Sequence, residues 1–260
     1  MKQHVVAAAL LLLITIVLGA CTKNENPQAR LSIYLTDDPA RYEAVNIDVQ
    51  KVLVTYQNDG PNNWKELNIQ PGIYNLLDFR NGMDLLLGTT ELPAGRINQI
   101  RLVLGPQNTV VERGVTHILE TPSAQQSGLK LNVQVELTEG IDYKLWIDFD
   151  AGRSVVKAGN SGKYLLKPVI KTFTQARGGS IAGTVLPAAA QAWVYALRGT
   201  DTVASALPES TNGRFLMRGI DAGTYAVAID APAGYRDTTL QNITVTNGQV
   251  TNVGTITLQQ

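Results

Sequence analysis

From Leu31 onward, apolar residues recur mostly with period two, the spacing that sends alternate side chains to opposite faces of a strand. In YEAVNIDVQKVLVTY, Val45, Ile47 and Val49 share one face while Asn46, Asp48 and Gln50 take the other. The same alternation predicts strands over 31–35, 97–104, 109–111, 117–119, 129–137, 143–149 and 164–173. Turn-forming residues separate them: Asn58-Asp59-Gly60, Pro93-Ala94-Gly95, Arg113-Gly114, Glu139-Gly140 and Asn160-Ser161-Gly162. The pattern predicts an all-β chain of antiparallel, sandwich-like sheets. Only two stretches read as helical turns: 39–44, with Asp38 as N-cap and Pro39 at the first helical position, and 74–87.

The N-terminus breaks this pattern. Lys2 is followed by a continuous apolar run over 5–18, then by Leu18-Gly19-Ala20-Cys21. The run is a secretory signal, too short and too weakly flanked to span a membrane. The four residues resemble the lipobox of bacterial lipoproteins. The resemblance implies cleavage before Cys21, a diacylglycerol on its sulfur and acylation of the new N-terminus, which together anchor a domain without a spanning helix. Thr22, rather than Asp, follows the cysteine, and in the resembled family this favours the cell outer membrane, with the protein facing the periplasm or the outside. Cys21 is the only cysteine, so no intramolecular disulfide forms although the compartment is oxidising.

Composition adds limits rather than identity. The 22 Lys and Arg balance 22 Asp and Glu, and no basic run occurs, so nucleic acid is excluded as a partner. The expected organisation is a signal peptide over 1–20, lipidated Cys21 and a polar tether over 21–29, a β-rich unit over 30–173, a linker over 174–179 (TQARGG), and a smaller β-sandwich over 180–260.

The smaller unit carries an opening Gly183-x-Val185 strand, then alternating Ala192, Val194 and Ala196, then Asn212-Gly213-x-Phe215. Gly223-Thr224-Tyr225, Gly234-Tyr235 and a final alternating strand follow. This order resembles the carboxypeptidase regulatory-like family, which implies a transthyretin-like sandwich. In the larger unit, LTDDPARYEAVNIDV, YNLLDFRNG, LPAGRINQIRLVLG, TPSAQQSGLKLNV, IDFDAGRSVV and GKYLLKPVIK together resemble bacterial lipoproteins grouped as domain of unknown function four-three-eight-two. That resemblance implies a secreted β-rich domain, often followed by a regulatory-like module, and no chemistry.

Candidate chemistry is sparse. Ser127 and Lys130 in SGLK satisfy the SxxK signature of penicillin-recognising serine enzymes, which places both groups on one helix face. Here Leu129, Leu131, Val133 and Val135 alternate with Lys130, Asn132 and Gln134, so Lys130 starts a strand, and the companion S-D-N and K-T-G motifs are missing. His117 is the only histidine beyond the signal, too few for zinc, and no G-x-S-x-G elbow accompanies it. Oxygen ligands for calcium are available from Asp37 and Asp38, placed on a loop after a strand, and from Asp148 and Asp150 at a strand end beside Trp146. The competing reading has Asp38 capping a turn and the other acids paired with Lys or Arg such as Lys130 or Lys167. A second binding feature follows from alternation: if Ala192, Val194 and Ala196 face the core, Trp193 and Tyr195 point outward together as a platform for a sugar ring or an envelope-protein partner, the competing readings being burial of these rings against the larger unit or inverted facing of the strand. Trp64, beside the NDGPNN turn, is a further aromatic candidate.

The expectation is a non-enzymatic binding or scaffolding module at the cell envelope, with a carbohydrate ligand and no cofactor other than calcium. Its rivals are a carbohydrate-active or metal-dependent enzyme using the Asp cluster, and a structural, fimbria-associated envelope protein.

Overall fold

The computed structural model describes residues 28–56, 64–121, 128–159 and 161–260, and the chain is almost all β, as the alternation predicts. The larger unit contains β1 (Ala29–Asp38), β2 (Ala44–Tyr56), β3 (Trp64–Glu66), β4 (Asn68–Ile69), β5 (Gly72–Asn75), β6 (Leu85–Leu92) and β7 (Gly95–Leu104). It continues with β8 (Thr109–Glu112), β9 (Val115–Glu120), β10 (Leu129–Leu137), β11 (Asp142–Asp150), a single helical turn α1 (Ala151–Ser154), β12 (Val155–Lys157), β13 (Tyr164–Leu166) and β14 (Ile170–Thr174). The smaller unit contains β15 (Gly179–Leu186), β16 (Trp193–Arg198), β17 (Asp201–Ala206), β18 (Arg214–Ile220), β19 (Gly223–Asp230), β20 (Thr238–Val245) and β21 (Val250–Thr257).

Each unit pairs two sheets around its own core. In the larger, one sheet runs β14-β11-β1-β6-β4 and the other β10-β7-β2-β8-β9-β13-β12, with β3 and β5 also pairing β2. Alternate residues of β1, β2, β7 and β11 fill the space between: Ile33, Leu35, Ile47, Val49, Ile100, Leu102, Ile147 and Phe149 are all essentially solvent-free. In the smaller, β18-β15-β21 faces β17-β16-β19-β20 over Ile181, Val194, Phe215, Tyr225, Val227 and Ile229. Burying such side chains is worth roughly 1.5–3 kcal/mol each relative to leaving them in water, so each core is its unit's main source of stability.

Three pairings depart from a purely antiparallel scheme: β1 runs parallel to β11, β9 to β13 and β15 to β21. Strands β1 and β11 lie far apart in sequence, and β1 inserts between β11 and β6, with opposite senses toward the two. The predicted strand over 164–173 divides into β13 and β14 at Pro168, which has no N–H for a ladder. The side chain of Ser154 joins the break by accepting from Val169 N at 2.8 Å.

The predicted helical turn over 39–44 does not form. Strand β1 continues through Asp38, the backbone bends over 41–43, and Glu43 N already bonds Val111 O at 3.0 Å in strand fashion. Asp38 is no cap because its carboxylate is engaged by Lys171 at 3.6 Å. Over 74–87 only one short 3-10 turn forms, Leu76–Phe79, with the Asn75 side chain accepting from Leu77 N.

The two units meet along the outer face of the β1, β11 and β14 sheet. Tyr34, Trp146 and Phe173, one from each strand, stack in a row with ring centroids 5.4 Å apart at each step. Trp146 Nε1 donates to Asp84 Oδ2 at 2.8 Å, and Arg218 of the smaller unit pairs with the same oxygen at 2.8 Å. Asn81 Nδ2 donates to Leu207 O at 2.9 Å, and Lys171 Nζ donates to Val203 O at 2.6 Å. This contact explains why the burial of β1 stops alternating at its end: Leu35, Thr36, Asp37 and Asp38 are all buried.

Candidate functional site

The register of three strands decides where the candidate acids go. Thr36 is level with Asp148, Asp38 with Asp150, and Asp148 with Lys171. Residues two apart share a face, so Asp38, Asp148, Asp150 and Lys171 lie on the outer face with the aromatic row, turned toward the smaller unit. Asp37, level with Phe149, falls on the core side. The four acids therefore do not converge on one point, and Asp37 and Asp38 lie on a strand rather than on the expected loop. Among the described residues, no group of three or more His, Cys, Asp or Glu is arranged to hold a metal ion.

All four carboxylates are nonetheless only 5–7% exposed. Asp150 caps α1: its Oδ1 accepts from Arg153 N at 2.8 Å and its Oδ2 from Arg153 Nε at 2.5 Å. Asp38 pairs with Lys171, yet burial still pushes its pKa up to about 6. Asp148 lies among Asp38, Asp150, Lys171 and Arg153, and burial followed by repulsion from Asp38 pushes it up to about 8. Three carboxylates face two cations here, so the upward shift at Asp148 acts to relieve the surplus negative charge. Asp37 is also raised well above the carboxylate range, by burial first, although its Oδ1 accepts from Ala151 N at 2.9 Å. The pairing uses Lys171 and Arg153, not the Lys130 or Lys167 that the sequence suggested. Lys130 instead stands exposed on β10.

Beside this charged floor opens a cleft of about 460 Å³. The larger unit contributes Asp38, Arg41, Tyr42, Glu112, Asp150 and Arg153 to it, and the smaller unit Trp193, Tyr195 and Thr202 to Ser205. The aromatic wall follows from the predicted alternation. Val194 and Ala196 are buried in the core, so Trp193 and Tyr195 emerge on the opposite face of β16. Their rings stack with centroids 6.1 Å apart and planes 14° apart. The Arg41 guanidinium lies 5.3 Å from the Trp193 ring centre. Glu112 is held below the usual carboxylate range, first by the hydrogen bond from Lys157 and then by that from Tyr164. The cleft thus offers an apolar aromatic wall opposite a rim of guanidinium, hydroxyl and carboxylate groups.

Arg41, Tyr42, Glu112, Arg153 and Lys171 were not singled out from sequence. Arg153 had a signal, since it lies three residues after Asp150 as a capping partner should. Arg41 had none, because its position depends on how the two units meet. Trp64 is separate from the cleft, on β3, with Arg101 4.0 Å from its ring centre. His117 lies on β9 against Tyr164, with ring centroids 4.5 Å apart. Cys21 and Ser127 lie outside the described residues.

No curated protein matches the chain. Solved structures that it resembles include the Bacillus anthracis TIE protein, at 11% identity and a TM-score of 0.25, covering 90% of this chain and 34% of that one. The chain thus spans about a third of that protein's length. Others are GBS52, the minor pilin of Streptococcus agalactiae, at 9% identity and a TM-score of 0.23, covering 88% and 95% of the two chains, and the shaft pilin spaA of Lactobacillus rhamnosus GG, as its D295N mutant, at 11%, 0.22, 89% and 97%. A family model described as Domain of unknown function (DUF4382) matches residues 28–168, which span β1 to β13 and every residue that the larger unit gives to the cleft; the chain belongs to this family.

Proposed function

We propose that this protein is a lipoprotein, anchored to the outer membrane through Cys21, that acts as a non-enzymatic binding module at the cell envelope and takes carbohydrate in the cleft between its two units. The observation that carries the reading is the Trp193–Tyr195 pair, stacked and turned outward on the wall of a cleft with a polar rim. Sugar rings present apolar C–H faces that lie on aromatic rings, while their hydroxyls need donors and acceptors at the edge. The smaller unit, read as a carboxypeptidase regulatory-like sandwich, supplies the platform. Two packed sheets around Phe215, Tyr225, Val227 and Ile229 support that assignment.

The state of the acids favours binding over hydrolysis. Asp38 and Asp150, the two candidate acids that line the cleft, are each paired with a cation. A glycosidase works with two carboxyls, one giving a proton and the other attacking or activating water, and here both are engaged in ion pairs.

Glycan capture by the full-length protein, compared with a Trp193→Ala, Tyr195→Ala variant, tests the reading. The double variant should lose about 1.4–2.8 kcal/mol of affinity, roughly tenfold to a hundredfold, with thermal unfolding near the parent's. Equal capture by both proteins would remove the platform. The anchor has its own test: Cys21→Ala should abolish labelling by a fatty-acid analogue and leave the precursor unprocessed, and continued labelling would refute it.

A further inference from the structure

The polar rim of the cleft is not evenly satisfied. Each lining carboxylate has a cation of its own: Asp38 has Lys171 at 3.6 Å, Asp150 has Arg153 at 2.5 Å, and Glu112 has Lys157 at 2.8 Å with Tyr164 Oη donating at 2.6 Å. No lining acid is left to attract a cationic ligand. Arg41 differs. Its only ion-pair partner among the described residues is Asp230, at 3.9 Å, and the two side chains are 72% and 53% exposed. Such a pair is screened by water and contributes little. Its guanidinium also lies 5.3 Å from the Trp193 ring centre, a cation–π contact beside the aromatic platform. The rim therefore carries one guanidinium free to exchange its partner, next to the surface on which a sugar would lie.

We propose that the cleft selects glycans built of carboxylated sugars, a uronate ring lying along Trp193 and Tyr195 while its carboxylate takes the fork of Arg41. This inference rests on the carbohydrate reading of the cleft. A guanidinium matches a carboxylate with two parallel hydrogen bonds, and exchanging the weak Asp230 contact for such a pair costs little. The charge of the rim favours a singly charged group. A dianionic phosphate would meet a single exchangeable cation, with the Asp230 carboxylate beside it, and keep an uncompensated charge. A neutral sugar keeps the stacking but lacks the charge-assisted pair with Arg41.

The test is calorimetric titration of the full-length protein with hexamers of galacturonate, mannuronate and glucuronate, each beside its methyl ester, which keeps the sugar skeleton and removes the charge. At least one free acid should bind about tenfold more tightly than its ester, the worth of one charge-assisted contact. Arg41→Gln, at an exposed position, should erase that difference between acid and ester, and Arg41→Lys should retain part of it. The Trp193→Ala, Tyr195→Ala variant should lose acid and ester alike. If acid and ester bind equally, if the preference survives Arg41→Gln, or if dextran sulfate shows the same dependence on Arg41, selection of uronates is overturned while the carbohydrate reading stands. If no acid, ester or neutral glycan binds, or binding ignores the aromatic pair, the carbohydrate reading itself fails and this inference with it.

Discussion

Asp148 lies on a central strand, with Thr36 level on one side and Lys171 on the other, and its Oδ1 has no hydrogen-bond partner. Such a group is tolerated when it is neutral. Its pKa is raised in the folded chain from 3.8 to about 8, so the fold holds a proton that the unfolded chain releases. The stability this confers is complete below pH 4 and is lost progressively as the pH rises through 8. Asp38, raised to about 6, acts in the same direction over a narrower window. Asp148→Asn, which imitates the protonated form, should therefore stabilise the protein at pH 8 by about 1–3 kcal/mol and flatten the fall in Tm between pH 5 and 8. Differential scanning calorimetry across that range decides it, and a variant whose Tm falls as steeply as the parent's would disprove the assignment. The two acidic pairs were legible in the sequence and so was the shared face of Asp148 and Asp150. That Asp37 turns inward was not, because its facing depends on β1 remaining a strand through Asp38.

At the scale of elements, alternation did most of the work, and it was most reliable where each face meets a different environment. Strand β10 alternates as read, which places Lys130 on the exposed face and gives SGLK no helical geometry. In β16 the alternation of Ala192, Val194 and Ala196 put Trp193 and Tyr195 outward before any partner for them was known. The pattern misled where a local signal competed with long-range pairing: Asp38-Pro39 has the residues of a helix start, yet β1 is held through Asp38 by pairing with β11. The contact between units has a local signature in Gly219 on β18, which holds φ near +66° and faces the Phe173 ring. A Cβ there would lie 2.5 Å from Phe173 Cδ1. Gly219→Ala should destabilise by about 2–4 kcal/mol, combining left-handed backbone strain with the clash. Gly199→Ala, at φ 64° with open space around it, should cost only the strain, about 1 kcal/mol. Equal losses in chemical denaturation would show that Phe173 does not seat against β18.

At the scale of the whole molecule, the two cores are separate but the cleft belongs to both, so its shape depends on what fixes one unit against the other. Period-two patterning reports which face of a strand is apolar and not which unit covers it, so this contact was beyond the sequence. Asp84 is central to it, accepting from Trp146 on one side and Arg218 on the other. The Asp84 and Arg218 side chains are 26% and 28% exposed, so their pair is partly desolvated and worth more than a surface bridge, though still screened. Asp84→Ala leaves the Trp146 N–H and the Arg218 guanidinium without their acceptor, at a cost of about 1–3 kcal/mol. Neither core loses an apolar contact, so the loss should appear as uncoupling, with one calorimetric transition separating into two. Hydrogen exchange should rise along β14 and β18 and remain unchanged along β2 and β7, which lie in the larger core. Asp84 does not line the cleft, yet the variant should bind its glycan more weakly, because Arg41 and Trp193 come from opposite sides of the loosened contact. Unaltered affinity alongside two transitions would mean that one unit alone forms the binding surface. Unaltered cooperativity would mean that the row of Tyr34, Trp146 and Phe173 fixes the units without Asp84.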